Sequence, residues 1–510
     1  MAPFALERLM GKAEMDISRL TFGAPAAERD IQQGLVEYFV DSETYQRVAR
    51  GEKTIVLGNR GTGKSAIFKV LAERSRSAGA SVLEMRPEDY SYEMLAQTLR
   101  SQGEGSWVKH GAFAAAWKFL ILVLVMKALT QSGPTLKRGG AARIYEYLRD
   151  NYQNSQGNVA AILISYLKRI EGIKVGQFEA ALKTRELARL YKLEELEPLL
   201  APLSEILRQR RALVFVDELD RGWDASENAQ AFVAGLFQAA ISLNEFNPQL
   251  TVYVSLRQEL YDSIPVLYED TQKYRDIIET IHWDEPSLKS VIASRIRHSL
   301  PEFVEGTNDA CWAAIFAEVL QYRGANSFNY MIDRTLYRPR EIIQFCSDAL
   351  EESRLSKVVP IDYPVISRAE LRYSEARTRD IAGEYRFQYP GLLSVFEVFR
   401  GRPYLMERTD LEEVCLGIIT GEHPTDPAAR WLENQDHELL IEILWRVGFL
   451  RAYAVGGLKA LRRSGSSYVG PHQVSNINVR NIQRFHVHPM FRSFLGMKEP
   501  KAAHAADVEQ

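Results

Sequence analysis

Thr54-Ile55-Val56-Leu57 is an apolar, β-branched run, and the eight residues after it are Gly58-Asn59-Arg60-Gly61-Thr62-Gly63-Lys64-Ser65. They read GxxxxGKS, and the helical pattern Ala66-Ile67-Phe68-Lys69-Val70-Leu71 begins directly behind them. A strand, a glycine-rich turn and a helix in that order constrain the chain more than any other feature does. Glycines let backbone N–H groups close around anionic oxygens, and the N-terminus of the following helix adds positive partial charge. The pattern therefore assigns Gly58, Asn59, Arg60, Gly61, Thr62, Gly63, Lys64, Ser65 and Ala66 to the phosphates of a nucleoside triphosphate. Lys64 is expected to reach the β- and γ-phosphates, and the Ser65 hydroxyl to bind Mg²⁺.

Binding alone needs nothing further, whereas hydrolysis needs a metal-holding carboxylate and a group that handles water. Leu213-Val214-Phe215-Val216-Asp217-Glu218 offers both at the end of an apolar strand. Asp217 is expected to hold the Mg²⁺ shell with Ser65, and Glu218 to orient or deprotonate the attacking water. Arginines supply candidates for sensing the γ-phosphate: Arg221 after Asp220, Arg257 at the end of Leu250–Leu256, and Arg338 and Arg340 around Pro339 at a helix start. A structural ion pair is the competing reading for each of them. No Asn-Lys-x-Asp run marks guanine specificity, so the expected cofactors are ATP and Mg²⁺. Phe22 and Tyr45 could cover the base, but both read more simply as core aromatics.

The 510 residues exceed what one typical core holds, so several domains are expected. Residues 1–50 read as lead-in helices, including Glu28–Val40 and Glu43–Ala49. The ATPase core is expected over 51–89 and 206–284, with a second strand near Ser81–Glu84 and further strands at Leu250–Leu256 and Ile278–His282. Between the two halves, 90–205 reads as a helical insertion, because a βαβ unit needs only about 30 residues. Its helices include Arg143–Tyr152, Val159–Ile170 and Leu193–Leu207, the last expected to break or kink at Pro198 and Pro202. A helical lid over 285–385, a winged helix over 386–498 and a disordered tail over 499–510 complete the plan. The expected class is α/β: a P-loop NTPase parallel sheet with a large helical insertion, a helical lid and a C-terminal winged-helix domain.

Glu7, Arg8 and Lys12 interrupt the N-terminus, which does not read as a secretory signal. The apolar run Phe119–Met126 is bracketed by Lys118 and Lys127 and reads as a buried helix, not a membrane span. Cys311, Cys346 and Cys415 lack metal-ligand spacing and read as reduced core residues of a cytoplasmic protein.

Several motifs together resemble a group of bacterial P-loop ATPases in the neighbourhood of STAND, KAP and origin-recognition-type AAA+ proteins. They are Phe22-Gly23 with Ala27-Glu28-Arg29-Asp30, the Gly58–Ser65 loop, Asp217-Glu218-Leu219-Asp220-Arg221-Gly222-Trp223, Ser255-Leu256-Arg257, Trp283-Asp284 and Arg338-Pro339-Arg340. The resemblance implies an ATP-hydrolysing molecular switch, a homo-oligomer, and a partner effector such as a nuclease, in some relatives within antiphage defence. The alternatives are an ATP-gated DNA-binding protein and a nucleotide-dependent scaffold for a nuclease.

The C-terminal region has a charge asymmetry that the net charge of −3 conceals. From Arg451 to Lys498 there is no Asp or Glu, while Arg451, Lys459, Arg462, Arg463, Arg480, Arg484, Arg492 and Lys498 are all present. Helical stripes at Leu392–Phe399, Val414–Ile418 and Leu440–Val447 precede β-like runs at Phe449–Val455 and Phe485–Val487, the order of a winged helix. Thr409 and Glu412 read as a capping box for the second helix. Lys459, Arg462, Arg463, Arg480 and Arg484 are the candidates for contact with a nucleic-acid backbone or a protein partner. His486 and His488 alternate on a strand without a third ligand, so no metal site is expected there. Neutralising Arg462 and Arg463 separates the two uses of this segment. If it lies on DNA, the salt dependence of binding in a mobility-shift titration flattens; if it docks on protein, basal ATP turnover rises and salt dependence is unchanged.

Overall fold

The computed structural model describes residues 17–85, 106–130, 139–152, 193–219, 223, 225–265, 267, 274–303, 305–322, 324–433, 435–453, 468–474 and 477–499. Arg221, Lys459, Arg462 and Arg463, the helix expected over Val159–Ile170 and the tail beyond Glu499 lie outside these residues. The chain divides into two compact units, residues 41–282 and residues 1–40 together with 283–510.

In the unit 41–282, five strands form one sheet: β1 (Ile55–Leu57), β2 (Ser81–Met85), β3 (Ala212–Val216), β4 (Leu250–Leu256) and β5 (Ile278–Thr280). Every pairing is parallel, in the order β2-β3-β4-β1-β5. β1, β3 and β4 are buried along their whole length, which is why they read as unbroken apolar runs and not as alternating ones. The register pairs Leu57 with Leu256 and Val216 with Val254. One step further on, Gly58 stands level with Arg257 and Asp217 with Ser255. The C-terminal ends of β1, β4 and β3 thus share one edge of the sheet. Phe215 stacks on Tyr253 at 5.0 Å, and Phe68 packs against both from α1 (Lys64–Ser77), which fastens the helix behind the loop onto the sheet.

The helices of this unit include α2 (Ser106–Thr130), α3 (Gly140–Tyr152), α4 (Glu197–Leu207) and α5 (Glu227–Phe246). Residues Phe113–Thr130 of α2 are long and apolar enough to cross a membrane, yet 78% of that stretch is buried inside the protein. It packs on α5: the Trp117 indole N–H donates to the Phe232 carbonyl, and the Phe232 ring contacts both Trp117 and Phe113. Pro198 falls in the first turn of α4, where its missing N–H costs nothing, and the break expected in this region lies before the helix, after the short turn Leu193–Glu195. Pro202 stays inside α4, with Gly140 of α3 packed against it.

In the second unit, the helix expected over Glu28–Val40 is interrupted. Gly34 adopts φ +102°, so the segment forms Ala27–Asp30, a 3₁₀ turn at Ile31–Gln33, and Leu35–Tyr38. The Asp30 carboxylate is buried and accepts from the Ala24 N–H at 2.6 Å, the Tyr38 hydroxyl at 2.7 Å and Arg295 at 2.7 Å. A Cβ on Gly23 would lie 2.3 Å from that carboxylate, which accounts for the glycine after Phe22. Arg295 belongs to α6 (Glu285–Ser299), so the lead-in segment is pinned to the helices that follow residue 283. Phe22 is 1% exposed and packs against Phe316, a core aromatic as expected.

The same unit contains α7 (Pro339–Ser356), α8 (Tyr363–Glu384), α9 (Leu392–Glu397), α10 (Arg408–Ile419), α11 (His437–Arg446) and the short α12 (Pro489–Arg492). A second, antiparallel sheet has the order β6-β9-β7-β8, from β6 (Leu405–Glu407), β7 (Leu450–Tyr453), β8 (Tyr468–Val469) and β9 (Arg484–Val487). β6, between α9 and α10, was not expected. The capping box at Thr409 is corrected: α10 starts at Arg408 with Glu407 as its N-cap and no side-chain cap, and Glu412 instead accepts from Arg408 Nε at 2.6 Å.

Gly235 of α5 shows how close the two long helices approach. A Cβ there would lie 2.6 Å from Phe113 Cβ and 2.7 Å from the Ala114 backbone nitrogen. Alanine in a helix interior ordinarily stabilises by about 1 kcal/mol over glycine, whereas overpacking a tight site costs about 1–3 kcal/mol. Gly235→Ala is therefore expected to lower the urea midpoint, and a raised midpoint would contradict this packing.

Candidate functional site

The loop after β1 is shaped by two left-handed glycines, Gly61 at φ +83° and Gly63 at φ +100°. This backbone region is costly for other residues, and here it turns the chain into α1. Gly63 is the N-cap of α1 and provides no side-chain cap for its first amides. Thr62 is buried, and its hydroxyl donates to the Asn59 carbonyl at 2.9 Å, closing the loop on itself. A Cβ on Gly58 would lie 2.6 Å from Thr62 Oγ1, so the close approach of Thr62 requires glycine at this position. The Lys64 ammonium bridges the loop, donating to the Gly58 carbonyl at 2.6 Å and the Asn59 carbonyl at 3.0 Å.

β3 delivers Asp217 to the same edge. Its Oδ1 accepts from the Glu218 backbone N–H at 2.9 Å and from the Ser255 hydroxyl. Ser255 pairs with Val56 of β1 and lies one step past the β3 pairing, so its hydroxyl links the carboxylate strand to the strand beside the loop. It drew attention in the sequence only as part of a motif; a serine near the end of a strand carries no signal until its register is known. Glu218 adopts φ +58°, a conformation that non-glycine residues rarely take and that costs on the order of 1–3 kcal/mol. Leu219 and Trp223, on its C-terminal side, are buried. Arg257 closes the group, 3.7 Å from Glu259. Arg221 lies outside the described residues. The first unit thus brings together Gly58–Ala66, Asp217, Glu218, Ser255 and Arg257.

Arg338 and Arg340 belong to the other unit. Arg338 is 5% exposed and donates to Glu384 Oε2 at 2.8 Å, with Glu341 at 3.8 Å. Burial works against its charge, but the two carboxylates more than compensate, and its pKa is raised. Arg340 is half-buried, and its Nε donates to the Pro25 carbonyl at 3.1 Å. The two arginines of this motif therefore differ in kind: one sits in a buried ion pair, the other on the lead-in backbone.

The C-terminal basic stretch is only partly a surface. Arg451 is 1% exposed and donates to Asp333 at 2.6 Å, so it is corrected from the basic face to the interior. His486 and His488 are buried, and burial depresses the pKa of both. Arg480 pairs with Glu442 at 3.2 Å and Arg484 with Glu407 at 2.8 Å, both in exposed ion pairs of small energetic weight. Glu412, His437 and Glu438 lie close enough to share a cation, but Arg408 already pairs with both carboxylates.

Residues 286–382 match the FunZ-associated C-terminal helical domain family. Over 495 residues the chain is 22% identical to the putative transposon gamma-delta 80.3 kDa protein of Escherichia coli K12, covering 92% of this chain and 66% of that protein. The chain thus spans just under two thirds of that relative's length. A shorter similarity, 26% over 163 residues, covers 31% of this chain and 84% of Allergen Alt a 2 of Alternaria alternata. Among solved structures, the Aeropyrum pernix ORC1 protein in complex with DNA aligns over 92% of this chain and 94% of its own, with 10% identity and a TM-score of 0.34. The ORC2 protein of the same organism, in ADPNP–ADP complexes, aligns over 92% and 95%, with 11% identity and a TM-score of 0.27. Those scores are too low to equate the folds.

Ser255→Ala removes the hydroxyl bond to Asp217 Oδ1 without touching the loop. It is expected to raise the Mg²⁺ concentration needed for half-maximal phosphate release and to leave the stability within about 1 kcal/mol of the parent. An unchanged Mg²⁺ dependence would remove Ser255 from the site.

Proposed function

We propose that residues 41–282 bind ATP with Mg²⁺ and hydrolyse it, and that the chain works as a nucleotide-dependent switch. The observation that carries this reading is the meeting, at one edge of a parallel sheet, of a loop turned into a helix start by two left-handed glycines and the acidic pair Asp217-Glu218 at the end of β3. Open α/β sheets bind ligands at the C-terminal ends of their strands, where this edge lies.

The loop fits a triphosphate in shape and charge. The left-handed Gly61 and Gly63 turn the chain so that the first-turn amides of α1, which have no side-chain cap, offer the positive end of a helix to an anion. Lys64 exchanges two bonds to neutral carbonyls for charge-assisted bonds to phosphate oxygens, which are roughly twice as strong. Ser65 and Asp217 would hold Mg²⁺, which neutralises charge on the phosphoryl oxygens. Ser255 and the Glu218 N–H fix the Asp217 carboxylate in orientation. Glu218, turned by its left-handed backbone, is the group that orients the attacking water and takes its proton.

In the switch, the helices of residues 285–385 and the C-terminal helices and antiparallel sheet, read as a winged helix, pass the nucleotide state to a partner. Arg338, buried against Glu384 and Glu341, and Arg340, bound to the Pro25 carbonyl, are held within their own unit. Arg257 is proposed as a second positive group beside the phosphates.

Two substitutions separate binding from chemistry. Lys64→Ala is expected to abolish ATP binding in a fluorescent-nucleotide titration. Glu218→Gln is expected to keep binding and to slow phosphate release by about 10²–10⁴-fold, the usual share of a general base. Normal turnover in Glu218→Gln would overturn the catalytic assignment while leaving the binding site intact.

A further inference from the structure

β9 runs through His486 and Val487 to His488, which opens α12. Both histidines are buried, at 9% and 0% exposure. His486 Nδ1 lies 3.1 Å from Arg492 Nη2, and a guanidinium can only donate, so this ring nitrogen accepts. His488 Nδ1 accepts from the Met490 backbone N–H at 3.2 Å and so caps α12. Each ring is held by a hydrogen bond that exists only while its Nδ1 carries no proton.

The groups around the two rings are predominantly cationic. Arg451 of β7 stands directly opposite His486. Arg492 lies over the Tyr404 ring at 3.9 Å, and Arg334 over the Tyr330 ring at 3.4 Å. Among the described residues, two carboxylates answer these three guanidiniums: Asp333, 2.6 Å from Arg451, and Glu370, 2.9 Å from Arg334. On β6, Leu405 is paired with His486, and Glu407 is taken up by Arg484 at 2.8 Å. Tyr468 of β8 stacks on His486 at 3.9 Å, and burial pushes its phenol up to about 12, so it stays neutral. Burial first, and then the arginines, hold both imidazoles well below their ordinary range, while the Thr335 backbone acts in the opposite sense on His488.

A proton on either Nδ1 turns an acceptor into a donor. At His486 it would confront the Arg492 N–H, and at His488 it would remove the cap of α12. Charging both rings would also add positive charge to a buried group that already has more guanidiniums than carboxylates. The segment held by these rings is docked on α8, where the Ser374 hydroxyl donates to the Met490 carbonyl at 2.5 Å and accepts from the Phe494 N–H at 3.0 Å.

We propose that His486 and His488 make β9 and α12 an acid-sensitive latch, closed on β7 and α8 while both imidazoles are neutral and released when they take up protons. The latch does not depend on the ATPase reading.

In the released state the imidazoles titrate near their ordinary value of about 6.5, and in the closed state well below it. The closed state therefore has its full stability above about pH 6.5 and loses it progressively as the pH falls, because only the released state binds the protons. Asp348 of α7, whose carboxyl burial raises to about 6, titrates in the same window with the opposite sign, and the variants below leave it in place.

The test is hydrogen–deuterium exchange of the full chain at pH 6.5 and at pH 5.5, with rates corrected for the intrinsic pH dependence. Protection of the β9 and α12 amides is expected to fall about five- to sixfold for each ring, and about thirtyfold for both, while that of β3 and β4 does not follow it. His486→Phe keeps a ring against Tyr468, and His488→Asn keeps an acceptor for the Met490 amide, so each removes one titrating group alone. Either variant is expected to reduce the fall to about five- to sixfold, and the double variant to abolish it. If the variants do not fold, the imidazole nitrogen resonances of the parent decide: at pH 5.5 the closed protein is expected to keep both rings neutral with the proton on Nε2. Unchanged protection of β9 and α12, a thirtyfold fall that persists in either variant, an equal fall in β3 and β4, or charged imidazoles in the closed protein would overturn the latch.

Discussion

The parallel ladder joining β3, β4 and β1 is the constraint on which the candidate site depends. It sets Val216 against Val254 and Leu57 against Leu256, and so brings two turns far apart in sequence to one edge. A slip of one residue would turn every buried side chain of β4 to the opposite face and move Ser255 away from Asp217. The register is held by burial on both faces, with Phe215 and Tyr253 stacked on one side and clamped by Phe68 of the helix behind the loop. The chemistry and the core therefore share residues: the packing that fixes α1 also fixes the amides at its start.

Buried charge organises the second unit more than apolar packing alone would. Asp30 draws a backbone amide, a tyrosine hydroxyl and Arg295 to one carboxylate, and Arg338 lies between Glu384 and Glu341. Such pairs cost desolvation and give little net stability, but removing one partner is expensive, so they fix geometry. The Arg338 pair joins the first turn of α7 to the end of α8, and the Asp30 cluster joins the lead-in segment to α6. Arg451 departs from this pattern: among the described residues it meets the carboxylate of Asp333 through Nη1 alone.

The turn after β1 and the placement of Asp217-Glu218 at the end of β3 were legible in the sequence because local order alone defines them: a strand, then residue types that suit a tight turn. The buried strands of the sheet and the buried helix α2 were legible for the same reason, as unbroken apolar runs. The features that escaped a sequence reading depend on distant partners. Arg338 and Arg340 look alike two residues apart, and only Glu384, 46 positions downstream, separates them. Arg451 looked like part of a basic surface, since sequence displays charge and not burial. Ser255 needed the register of β4, and β6 is three residues long, too short for any period to emerge. Gly34 lies inside the helix expected over Glu28–Val40, and its left-handed backbone beside His298, which interrupts that helix, was not read from the sequence.

The central claim is that the loop after β1 and the acidic end of β3 form a single nucleotide site through β4. Hydrogen–deuterium exchange on the full chain, with and without Mg²⁺–ATP, tests this most directly, because it reports on the backbone amides that would do the binding. The account predicts joint protection of Gly58–Ala66 and of Asp217–Glu218, with a smaller effect at Ser255–Arg257 and none of it when Lys64 is replaced by alanine. Protection confined to one of the first two segments, or its absence from both at saturating nucleotide, would contradict the account.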